Sequence, residues 1–163
     1  MRICIFGAGA IGGMIGSLLK KNGIEVTLIA RGEHYKAIKK NGLVFKSPEY
    51  DLDISQKFEV FEDISEIGKF DLVINGLKAH SSNSVAKHLS TILHEKSILL
   101  PTLNGIPWWF FYKFGGQYDN YQLTSVDPNG LQWKHFNPSR VIGSVVYPAA
   151  TISSPGVINH LEG

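Results

Sequence analysis

Gly7, Gly9 and Gly12 fall in the spacing G-x-G-x-x-G, within Gly7-Ala8-Gly9-Ala10-Ile11-Gly12, and none of the six residues carries an ionisable side chain. Such a stretch can do one kind of chemistry, which is to hold an anion on bare main chain. The first glycine permits a sharp turn, the second leaves nothing to block a pyrophosphate, and the third lets a following helix lie close to a sheet. Free amides and the dipole at that helix start, near Ala10 and Ile11, attract phosphate. Arg31 stands where a dinucleotide site of this kind carries an acidic residue, about 20 residues on, to hold a ribose 2′-hydroxyl. A guanidinium there can meet a 2′-phosphate with two parallel charge-assisted hydrogen bonds, which predicts NADP(H) over NAD(H). The alternative is a solvated Arg31 with Glu33 as the ribose ligand.

The fingerprint carries weight only between a strand and a helix. Arg2-Ile3-Cys4-Ile5-Phe6 reads as a strand buried on both faces, Met14 to Lys21 as a helix capped by Gly23, and Glu25 to Ala30 as a second buried strand. Further on, Phe70 to Asn75 and Ser97 to Leu100 read as core strands, and each leads to polar groups just past its carboxyl end: Lys78 after the first, Asn104-Gly105 after the second. Open α/β sheets bind their ligands at that edge. Lys78 is equally compatible with a surface turn, and Asn104 with a turn-forming Asn-Gly pair. His80, His88 and His94 lie eight and six residues apart, which is not metal-ligand spacing on one helical face, so no metal site is expected and the rings read as solvated.

The intervening chain predicts a short helix over Glu33 to Lys40 closed by Asn41-Gly42, and strands at Leu43 to Lys46 and Asp51 to Ile54 around Ser47-Pro48. Phe58 to Phe61 alternates like a strand, Asp63 to Ile67 reads as one helical turn, and a helix from Ala79 to about Leu93 takes a serine as N-cap. A hairpin is expected from Gln122-Leu123-Thr124-Ser125 and Leu131-Gln132-Trp133 around Asp127-Pro128-Asn129-Gly130. Arg140 to Tyr147 reads as a sixth core strand, and Val157 to Leu161 as a strand antiparallel to the extended segment Pro148 to Ile152. Five consecutive aromatics, Trp108 to Tyr112, cannot share one core face. They read either as an irregular segment on the sheet edge or as an apolar surface for a partner, including a second copy in a homodimer.

Composition bounds the class. Of 163 residues, 44% are hydrophobic and 18% charged, and the net charge of +2 with scattered Lys and Arg argues against a nucleic-acid surface. No apolar stretch approaches the roughly 20 residues of a membrane span. The single Cys4 allows no internal disulfide and Met1 leads into the first strand without a signal-peptide pattern, so a cytoplasmic setting is expected. Residues 1–163 read as one α/β domain: Rossmann-type and doubly wound, with a mostly parallel sheet and an antiparallel C-terminal extension.

The ordered set Gly7-Ala8-Gly9-Ala10-Ile11-Gly12-Gly13, Val26 to Gly32, Leu77-Lys78-Ala79-His80, Asn104-Gly105-Ile106-Pro107-Trp108-Trp109 and Val146-Tyr147-Pro148-Ala149-Ala150 through Pro155-Gly156-Val157 resembles the N-terminal domain of ketopantoate reductases (2-dehydropantoate 2-reductases). Leu103 departs from the glutamine common before that Asn-Gly pair. The resemblance implies NADPH-dependent reduction of 2-dehydropantoate, a small 2-keto acid, in pantothenate biosynthesis. It implies that Gly7 to Gly12 hold pyrophosphate, Arg31 the 2′-phosphate, and that Lys78, Asn104 and Ala150 line the cofactor and nicotinamide end, Asn104 reaching substrate as well. It also implies an all-helical C-terminal domain that supplies the proton-donating lysine and most substrate contacts. No catalytic proton donor is therefore expected within these 163 residues, and activity of this chain alone is expected to be weak or absent. The alternative is a stand-alone NADP-binding or sensing module.

Overall fold

The computed structural model describes residues 1–65 and 67–163. Its centre is a sheet whose strands alternate their side chains between two cores. On β1 (Ile3–Phe6), Ile3 and Ile5 enter one cluster while Cys4 and Phe6 enter the other. That is why the run is apolar throughout: a parallel strand covered on both faces has no polar side. Four further strands join it, β2 (Thr27–Ile29), β5 (Glu59–Phe61), β6 (Phe70–Asn75) and β7 (Leu93–Pro101), in the order β5-β2-β1-β6-β7 with all pairs parallel. The chain winds outward from β1 in both directions, so the switch point lies between β1 and β6.

A second, four-stranded sheet, ordered β4-β3-β9-β8, is built from β3 (Leu43–Ser47), β4 (Leu52–Gln56), β8 (Ala149–Ser154) and β9 (Val157–Glu162). The expected strand pairs β3–β4 and β8–β9 are present and antiparallel, and β3 pairs with β9 in parallel to join them. Helix α1 (Ala10–Lys21) lies between the two sheets, and its sequence permits this. A Cβ on Gly12 would run into the Gly7 carbonyl, and one on Gly13 into Ile158 of the second sheet. The opposite face of the main sheet is covered by α3 (Ala79–Ser90), α4 (Leu131–His135) and the buried Trp108 and Phe136.

Several expectations need correction. The second strand spans only Thr27–Ile29, α1 begins at Ala10, and α3 stops at Ser90 so that β7 starts at Leu93. The N-cap of α3 is Lys78, not a serine; Ser82 lies inside the helix and accepts a hydrogen bond from the Asn75 amide at 3.0 Å. The hairpin over 122–133 is replaced by α4. The Asp127 carboxylate accepts from the backbone amides of Gln132 and Trp133, both at 2.9 Å, and so caps a helix where a hairpin turn was expected. Arg140 to Tyr147 is not a core strand: Val141 bridges Leu99, after which the Ser144 hydroxyl and the Asn104 side chain take the place of a ladder. Val145 and Tyr147 are 68% and 83% exposed, so the apolar run does not face inward. The expected turn over Asp63 to Ile67 includes Glu66, which lies outside the described residues.

Candidate functional site

A cleft of about 580 Å³ opens at the carboxyl edge of the main sheet beside the switch point. Its floor is Phe6, Gly7, Ala8 and Gly9; one wall is Ile29, Ala30, Arg31 and His34; the other is Ser81, Ser84, Val85 and His88 of α3, with Glu62 and Ile64 completing the far end. Alpha-helix α2 (Gly32–Asn41) begins directly after Arg31, which is its N-cap residue.

Each glycine of the turn has a different reason to be one. Gly7 has φ +99°, and a Cβ there would sit 2.7 Å from Leu77, so both backbone and packing demand glycine. Gly12 is demanded by packing alone. Gly9 is demanded by neither: its φ is −73°, and a Cβ on it would meet nothing within 4 Å. The open space on that side lies in the cleft, over the start of α1, whose N-cap Gly9 offers no side-chain partner to the first-turn amides and whose first turn holds no acid. This is the form a main-chain phosphate cradle takes, and the residues present fit a dinucleotide pyrophosphate.

Arg31 is exposed on the cleft wall and has no ion-pair partner among the described residues. Glu33, the alternative ribose ligand, points elsewhere and pairs with Lys36 at 2.7 Å. A carboxylate does reach this end of the cleft, from a residue sequence reasoning missed: Glu62, just past β5, accepts the Gly32 backbone N–H at 2.7 Å. His34 was missed as well. Its Nε2 lies 2.9 Å from the Ala8 carbonyl, its Nδ1 accepts the Gly156 N–H at 3.0 Å, and burial lowers its pKa from the ordinary 6.5.

The remaining expected residues lie off the cleft walls. Ala10, Ile11 and Gly12 form the first turn of α1 behind the floor. Lys78 is exposed at the start of α3, on a turn braced by buried Asn75, whose side-chain oxygen accepts from the Leu77 amide at 3.2 Å and whose carbonyl accepts from Thr102. Asn104 is exposed, and its side chain exchanges two hydrogen bonds with the Val146 backbone, at 2.9 and 2.8 Å. One amide hydrogen and one lone pair stay available on it. Ala150 is half-buried on β8 against the α1 core. Of the three histidines, His80 and His88 are exposed, His88 lying on the cleft wall 3.8 Å from Asp63; His94 is half-buried, 3.1 Å from Asp71. Among the described residues no group of three or more His, Cys, Asp or Glu is arranged to hold a metal, and no helix is long and apolar enough to cross a membrane. Burial pushes the Cys4 thiol up to about 12, which removes it as a nucleophile.

Sheet order, helix placement and cleft position define a Rossmann-like α/β protein. Residues 3–107 match the family described as ketopantoate reductase PanE/ApbA, and the chain belongs to that family. It is 39% identical over 164 residues to a 2-dehydropantoate 2-reductase of Mesorhizobium japonicum, covering 100% of this chain and 50% of that one. Among solved structures it superimposes on a protein described as a ketopantoate reductase from Ralstonia solanacearum with a TM-score of 0.89 at 33% identity, over 99% of this chain and 50% of the other. A 2-dehydropantoate 2-reductase from Geobacter metallireducens gives 0.79 at 28% identity, over 100% and 47%. The chain thus spans about half the length of these relatives.

Proposed function

We propose that this chain binds NADPH across its glycine turn and forms the cofactor half of a cytoplasmic 2-dehydropantoate 2-reductase-type enzyme of pantothenate biosynthesis. The single observation that carries the reading is Gly9, a glycine that neither its own φ nor the packing around it requires, facing open space over uncapped helix amides. Bound NADPH would supply hydride to a small 2-keto acid. The chain's own part is to bind and orient. The amides of Ala10, Ile11 and Gly12 take the pyrophosphate, and the Arg31 guanidinium takes the 2′-phosphate. Lys78, Asn104 and Ala150, which lie off the cleft walls, are assigned to the nicotinamide end on the family resemblance, where the spare amide hydrogen of Asn104 would donate to the substrate.

Hydride transfer needs a developing alkoxide to be protonated as it forms. Lys78 is exposed at the start of α3, and we assign the proton donor, as the family resemblance implies, to a helical second domain. The test is a fluorescence titration with NADPH, then NADPH oxidation in the presence of 2-dehydropantoate. Tight binding with negligible turnover is expected; brisk turnover would place the proton donor within these residues, and failure to bind would sink the reading. A stand-alone NADP-binding or sensing module shares the same cleft and parts from this reading if a separately added second half restores no turnover. The homodimer expectation now rests on Phe110, 48% exposed, and the partly exposed Phe111 and Tyr112, because Trp108 is buried against Trp133 and Phe136. Sedimentation showing a monomer at high concentration would end it.

A further inference from the structure

We propose that His34 is a positioning residue that couples the glycine turn to the β8–β9 turn, so that cofactor binding is felt at Gly156; this rests on the dinucleotide reading above. The two hydrogen bonds of the ring fix its state. Nδ1 faces the Gly156 N–H at 3.0 Å and must act as acceptor, so the ring proton sits on Nε2 and is donated to the Ala8 carbonyl at 2.9 Å. A cationic imidazole would set a second N–H against that of Gly156. Burial, which disfavours the charged ring, acts in the same direction.

Both partners are held firmly on their own sides. The Ala8 amide donates to Ile29 at 2.7 Å and Ala8 is 1% exposed, so the Ala8–Gly9 peptide has little freedom once its carbonyl is taken. In a trans peptide the Gly9 N–H then points away from His34, and the carbonyl oxygen, which would repel a phosphate, stays bonded. Gly156, at φ +80°, receives the Val44 amide on its carbonyl at 2.8 Å, and a Cβ on it would press on Ala37 at 3.1 Å. Ala37 lies one turn beyond His34 on the same face of α2. The turn that begins β9 is therefore seated on the same helix face that steers the phosphate loop, and β8, carrying Ala150, leads into it.

The imidazole can be divided by substitution. His34→Gln places an amide donor near Nε2 and keeps the Ala8 bond; His34→Asn places a carbonyl near Nδ1 and keeps the Gly156 bond. With NADPH as the probe, His34→Gln is expected to bind within about twofold of wild type, while His34→Asn and His34→Ala weaken about fivefold, the scale of one lost hydrogen bond. In the wild-type chain the Gly156 amide resonance is expected to shift on titration with NADPH, a readout that does not depend on any variant folding. Equal weakening in the Gln and Asn variants, or a Gly156 resonance that does not move while NADPH binds, overturns the coupling and leaves the dinucleotide reading intact. Wild-type protein that does not bind NADPH at all overturns both.

Discussion

Replacing Arg31 by alanine is the sharpest test of which dinucleotide the cleft takes. The guanidinium is exposed and has no ion-pair partner among the described residues, so its removal breaks no internal pair and leaves no buried charge behind. The whole effect must then fall on the ligand. A hydrogen bond to a charged group contributes about 1.5–3 kcal/mol, and exposure to solvent pulls a surface pair to the lower end, so the 2′-phosphate contact contributes roughly 1.5–2 kcal/mol. That corresponds to about a ten- to thirtyfold rise in the Kd for NADPH. NADH, which lacks the phosphate, should change by less than about twofold. Titrating both cofactors by fluorescence at low and high salt adds a second axis: the NADPH advantage of the wild type should shrink as the screening length falls from about 30 Å at 0.01 M to about 3 Å at 1 M, and the variant should show little such dependence. Equal losses for NADPH and NADH would refute the assignment of Arg31 to the 2′-phosphate.

Gly9→Val is expected to cost about 1 kcal/mol of stability, the scale of an N-cap exchange, yet to abolish tight NADPH binding in the same titration. Gly12→Val, forced into the Gly7 carbonyl, should cost about 3 kcal/mol or more and lower the thermal midpoint by roughly 6–12 °C. Glu62→Gln should tighten NADPH more than NADH, because the carboxylate opposes a phosphate at the same end of the cleft; unchanged preference would show that Glu62 serves only as a partner for the Gly32 amide. The lowered pKa of His34 means that between that value and 6.5 the unfolded chain binds more protons than the folded one, so stability should fall as pH drops through this window. Urea midpoints at pH 7.5 and 5.5 would show a drop that His34→Gln diminishes.

The parts of the fold legible in the sequence were those written in local pattern. An apolar run, a glycine turn and a helix within one βαβ unit leave little else for the chain to do; β1 and β6 stand where periodicity put them, while α1 and β7 keep their places in the order but each begin four residues earlier. What pattern could not carry was partnership across the chain. Both short hairpins were legible, but their fusion into one sheet depends on Val44 pairing with Val157, and nothing in either strand names the other. Asp127-Pro128-Asn129-Gly130 carries signals that a hairpin turn and a helix start share. The choice was made by the Asp127 carboxylate, which also holds Asn83 of α3 at 2.6 Å. Trp108 to Tyr112 split by depth, with Trp108 2% exposed and Phe110 48%, because the segment is a run of turns that seats Trp108 against Trp133 and Phe136 and leaves Phe110 outside.

The site divides along the same line. Its floor was readable because glycine spacing records where the main chain must be bare. Its charged end was only half readable. The second strand leads to Arg31, and the acid nearest to it in sequence is Glu33. The carboxylate that arrives comes instead from the neighbouring strand: Ile29 pairs with Phe61 in parallel, so the residues that follow each are carried to the same edge of the sheet. Sheet order, not sequence distance, therefore sets which charges meet at this end of the cleft. Arg31 and Glu62 then act on one ligand in opposite senses, so substituting each should move the NADPH-to-NADH preference in opposite directions. A pair of substitutions that moved it the same way would mean that the two groups do not face a common ribose, whatever the cleft holds.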